Sequence, residues 1–197
     1  MVNWIRYFRV CFFQCLVLTS AGDKILLTRA PDLRQAQNTS NIKDIRIWVD
    51  KDDNNPADDL KSILVELSLE NKNLGVEYET YGLTGKNAMR LNHSLKNFAK
   101  LHDESFLITK HRLVKSDYEI KYIKKAAELA DKALEKAWES SHPGADESDI
   151  LSAMQGAVFS GGGDYPGNEF IIGSGPDALL CRYFSGRRKL DPIDQLT

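Results

Sequence analysis

The residues with the types and spacing for chemistry gather near the C-terminal end, in GGGDYPGNEFIIGSGPDALLCRYFSG (161–186) and the basic run after it. Glycine, polar and aromatic residues there surround a short apolar strand core, Phe170-Ile171-Ile172. A phosphate loop is excluded, because GxxxxGK[ST] is absent and neither glycine cluster stands between a strand and a helix start. Ser174 in GSG and Ser185 in FSG lack the GxSxG elbow and read as turn residues. Arg182, Arg187, Arg188 and Lys189 form the strongest charged cluster. Guanidinium groups bind carboxylates bidentately, which leaves two readings: a grip on a substrate carboxylate, or a solvated turn paired with Asp191 and Asp194.

Elsewhere the chemistry is sparse. His93, His102, His111 and His142 show neither HxH nor HExxH spacing. DKDDNNPADD (50–59) superficially suggests calcium but lacks the EF-hand glycine and terminal glutamate, so it reads as a solvated helix N-terminus. Cys11, Cys15 and Cys181 contain no CxxC pair, and two of them sit in an apolar run, which fits a reducing, cytoplasmic setting. A balance of 26 basic against 28 acidic residues gives no electrostatic case for nucleic acid or a membrane surface.

The elements that must position these residues divide into two groups. The run Val10–Thr19 follows Arg6 and Arg9 and precedes small residues, roughly a signal-peptide layout. It reads better as a buried strand, since Gln14 interrupts it and SAGD turns it into a second strand at 24–28. No stretch reaches membrane-span length. Further strands are expected at 44–50, with Ile45, Ile47 and Val49 on one side, at 74–79 and at 105–109. Helices are expected from Pro56 to about Leu69 and over 84–99. This alternation predicts a small α/β domain. After a boundary near Leu113, Ser116-x-x-Glu119 predicts a capping box opening a helix over 117–139, with Ile120, Ile123, Ala127, Ala130, Leu134 and Ala137 as its apolar stripe. A second helix, 147–159, carries Ile150, Met154 and Ala157 and ends at Gly161–Gly163. KLDP then turns the chain into a strand opening at DQLT.

The series RLVKSDYEIKYIKKAAELADKAL, HPGADESDI, GGGDYPGNEFIIGSGPDALLCRY and GRRKLDPIDQLT resembles the creatinase/aminopeptidase P/prolidase superfamily of pita-bread hydrolases. LLTRAPDLRQAQNTSNIKDIRIWVD is similar to their Xaa-Pro peptidase-like members. The resemblance implies an α/β fold, with a creatinase-type N-terminal domain over 1–112 and the first part of a pita-bread domain over 113–197.

It also implies a hydrolase cleaving an amide C–N bond with two divalent ions, Mn, Co or Zn, and a homodimeric full-length form. The metal ligands of the peptidase members lie beyond the strand that DQLT begins. The expectation is therefore a fragment that binds no metal, carries no catalytic residue and is inactive alone. Where Xaa-Pro peptidases place a histidine, SGPDALLCRY has Arg182, which favours a substrate bearing a carboxylate. The expected substrate contacts are Arg182 as anchor, with Tyr183 and Asn168 shaping the pocket around a peptide or small amide. The alternatives are a hydrolase of an ectoine- or creatine-type substrate, a non-catalytic pita-bread binding module, or a truncated product without activity.

Overall fold

The computed structural model describes residues 12–180 and 188–197. The chain divides into two compact units, Met1–Leu113 and Val114–Thr197.

In the first unit, β1 (Cys15–Leu18) runs antiparallel to β2 (Lys24–Arg29), and β2 is parallel to β3 (Asp44–Trp48). The expected hairpin is therefore present, closed by Thr19 and Asp23 through Gly22 at φ +98°. The crossover from β2 to β3 passes through a 3-10 turn and α1 (Leu33–Thr39). Central β2 is buried on both faces, which explains its unbroken apolar run. Ile25 and Leu27 join Val17, Trp48 and the inner faces of the next two helices, while Leu26 packs with Ala36 and Ile42. Those helices are α2 (Pro56–Glu66) and α3 (Gly85–Ser94). Asn55 caps α2 by accepting from the Ala57 N–H, with Asp58 and Asp59 in the first turn, so the acidic stretch serves a helix N-terminus.

Two sequence expectations shift here. Trp48, not Val49, is the buried anchor of β3, and its indole N–H donates to the Phe13 carbonyl at 2.9 Å. Val49 lies beyond the strand and is exposed. The strand expected at 105–109 is instead β5 (Lys100–Asp103), parallel to β4 (Asn73–Val76). Asp103 ends it by accepting from both the N–H and the hydroxyl of Ser105. Phe106 then turns left-handed and starts the short α4 (Leu107–His111).

The second unit opens with α5 (Asp117–Ser140), whose capping box is formed as expected. It packs on α6 (Glu147–Ser160), which ends in a Schellman motif. Gly162 is left-handed at φ +81° and donates to the Phe159 carbonyl, while the Gly163 N–H reaches Val158. The face of α5 that is buried is Leu129, Ala133 and Ala137. The rest of the expected stripe, Ile120, Ile123, Ala127, Ala130 and Leu134, is exposed. The end of α6 comes close to this face, since a Cβ on Gly161, the residue that caps it, would lie 2.2 Å from Leu129 Cδ2. Ile150, Ile172, Leu190, Ala137 and Ala145 form this unit's core.

Candidate functional site

α6 begins beside two extended segments. Gly173 and Thr197 exchange backbone hydrogen bonds at 3.0 Å, Gly175 donates to Gln195, and Glu147 donates through its N–H to the Arg188 carbonyl. These pairings bring Glu147, Ser174, Arg188, Asp191 and Asp194 together. Glu147 and Ser174 are fully buried. The Ser174 hydroxyl donates to Glu147 Oε1 at 2.5 Å and accepts from Arg188 Nη1. Arg188 Nη1 also donates to Asp194 Oδ2 at 2.6 Å, and Nη2 to Asp191 Oδ2 at 2.7 Å. Asp194 takes further bonds from the backbone N–H groups of Asp191 and Gln195.

The Asp191 N–H and then the Arg188 guanidinium hold the Asp194 carboxyl below its usual range, and Asp194 in turn raises the Arg188 pKa. Gly175 is needed at the crossing point: its φ is +52°, and a Cβ there would lie 2.6 Å from Arg188 Nη2.

Chemically, this cluster is a clamp. Ser174 has no histidine beside it among its hydrogen-bond partners, and Arg188 spends both terminal nitrogens internally. The clamp instead ties together the two ends of the segment between Gly175 and Arg188, which contains Arg182 and Tyr183. Arg182, Tyr183 and Arg187 lie outside the described residues. Asn168 sits in an exposed bend between α6 and the extended segment at Gly173, where isolated bridges stand in place of the strand expected around Phe170-Ile171-Ile172. Lys189 lines a shallow polar depression with His142, Asp146 and Asp149, where Asp146 is occupied in capping α6 through Ser148.

Glu147 and Ser174 are the residues that sequence reasoning missed, since a first-turn glutamate and a GSG serine normally face water. Among the described residues no three His, Cys, Asp or Glu side chains could together hold a metal ion. Asp191 and Asp194 are turned onto Arg188, so the described residues do not fit a two-ion centre.

Two families match in succession. The Creatinase/Prolidase N-terminal domain matches residues 4–114, and Metallopeptidase family M24 matches residues 121–197. The chain belongs to the creatinase/prolidase family. A Xaa-Pro dipeptidase of Pyrococcus horikoshii is 34% identical over 124 residues, covering 62% of this chain and 34% of that protein. An uncharacterised hydrolase/peptidase of Sinorhizobium fredii is 29% identical over 158 residues, covering 77% of this chain and 40% of the relative. The solved structure of a Xaa-Pro dipeptidase from Bacillus anthracis superposes with a TM-score of 0.72 at 22% identity, over 94% of this chain and 49% of that one.

This creatinase/prolidase family chain thus spans less than half the length of these relatives, and over that span it has their α/β pita-bread architecture. Among the described residues no helix is long and apolar enough to cross a membrane.

Proposed function

We propose that the chain supplies the N-terminal domain (1–112) and the opening of the catalytic domain (113–197) of a cytoplasmic hydrolase that cleaves an amide C–N bond in Xaa-Pro peptides. The observation that carries this reading is the order of the two family matches along one chain. The clamp adds support, because it ties the base of the segment that bears Arg182. In this reading Arg182 anchors the substrate carboxylate through paired N–H donors, with Tyr183 and Asn168 beside it. When bound, two divalent ions such as Mn, Co or Zn supply the activated water in enzymes of this chemistry. The described residues offer no ligand set for such ions, so the 197-residue chain alone is expected to bind substrate weakly without turning it over.

The test is titration calorimetry and hydrolysis of Ala-Pro with the purified chain, with and without Mn or Co. Expected are metal-independent binding, roughly tenfold weaker in Arg182→Ala for loss of a charge-assisted contact, and no turnover. Metal-dependent turnover by the chain alone would overturn the inactivity. Binding indifferent to Arg182→Ala would remove its role as anchor.

A further inference from the structure

The stretch that leads into α5, LITKHRLVKS (107–116), carries Lys110, Arg112 and Lys115 and no acidic residue. Every residue from Thr109 to Ser116 is exposed, with Leu113 at 68% and Val114 at 87%.

Little holds this stretch in its folded form. α4 has five residues, buries none of them, and has no side-chain cap at its start. A helix that short has no stability of its own. It starts from Phe106 at φ +70°, a conformation that is costly for a bulky side chain. The tie to the body of the first unit is the Ile108 N–H, which donates to Glu77 Oε1 at 3.2 Å. α5, by contrast, begins on its own capping box and does not depend on the residues before Ser116.

We propose that this stretch is a site of proteolytic modification, cut at the Arg112–Leu113 bond by an endopeptidase with an anionic specificity pocket. Such an enzyme takes an extended chain, so α4 has to unwind. Unwinding exposes no apolar core and gives up the Glu77 bond, so the open form lies at the low end of local unfolding. Arg112 then supplies the cation for the pocket. Water adds across the bond, its hydroxyl to the Arg112 carbonyl carbon and its proton to the Leu113 nitrogen.

The neighbouring cations are less suited. Cutting after Lys115 means breaking the cap in which Ser116 and Glu119 hold each other. Lys121 and Lys124 are exposed but lie inside the 24-residue α5. Lys51 stands between Asp50 and Asp52, which oppose an anionic pocket. The proposal is independent of the hydrolase reading, because its test reads no activity of the chain.

The test is limited digestion of the full 197-residue chain with trypsin, whose pocket carries an aspartate, read by mass spectrometry of the fragments. A fragment ending at Arg112 is expected while the bonds after Lys61 in α2 and Lys124 in α5 are still whole. Glu77→Ala removes the acceptor for Ile108 and speeds the Arg112 cut roughly fivefold, since cleavage follows the population of the open form. Glu77→Gln keeps an acceptor and is cut at the unaltered rate. The proposal is overturned if the Arg112–Leu113 bond outlasts those in α2 and α5, or if Glu77→Ala leaves its cleavage rate unchanged.

Discussion

Asp194 accepts hydrogen bonds from the Arg188 guanidinium and from the backbone N–H groups of Asp191 and Gln195, and only 8% of its side chain is exposed. All three donors favour the ionised carboxylate, so its pKa lies lower in the folded chain than in the unfolded one. A group depressed in this way contributes stability that is complete above its unfolded pKa, near 3.9 for aspartate, and disappears as pH falls through the lower folded value. The urea midpoint of the second unit is therefore expected to fall as pH is lowered below about 4. In Asp194→Asn the midpoint is lower at neutral pH, and the acid-dependent fall shrinks. An unchanged acid dependence in that variant would show that other carboxylates cause it.

Elements were legible where a local signal acts alone. Ser116-x-x-Glu119, Pro56 after Asn55, and the glycines at 161–163 each specify a helix end through bonds within a few residues, and each end lies where those bonds place it. Gly162 makes the strength of such a signal measurable. Its left-handed φ of +81° has open space around it, so Gly162→Ala adds strain but no collision. A loss of about 1 kcal/mol is expected for the second unit in urea titration; no loss would mean that the Schellman end relaxes freely.

Signals that depend on distant partners were harder to read. The α5 stripe was visible as apolar, but of its members only Ala137 is buried, and Leu129 and Ala133 join it on the inner face. β5 was displaced to Lys100–Asp103 because its pairing with β4, rather than the apolarity of SFLIT, selects the strand. In the clamp, Arg188 pairing with Asp191 and Asp194 was one of the two readings open from sequence. The burial of Glu147 and Ser174 was not, since nothing local distinguishes them from surface polar residues.

At the scale of the whole molecule, the two units differ in what stabilises them. The first is built on one large apolar cluster in which Leu27, Ile25, Trp48, Leu60, Ile63, Leu91 and Phe98 meet between sheet and helices. The second has a smaller apolar cluster and relies on the buried Ser174–Glu147–Arg188 bonds to close its segments together. Hydrophobic stabilisation scales with area buried, so the second unit is expected to melt first, giving two calorimetric transitions.

Single substitutions assign them. Ser174→Ala leaves the Glu147 carboxylate without its donor and costs about 1–3 kcal/mol, which lowers the first transition alone. Leu27→Ala opens a cavity in the larger core at about 2–5 kcal/mol and lowers the second. A single transition shifted by both substitutions would mean that the units unfold as one cooperative body. Two transitions with the assignments exchanged would mean that the polar clamp contributes more stability than the larger apolar core.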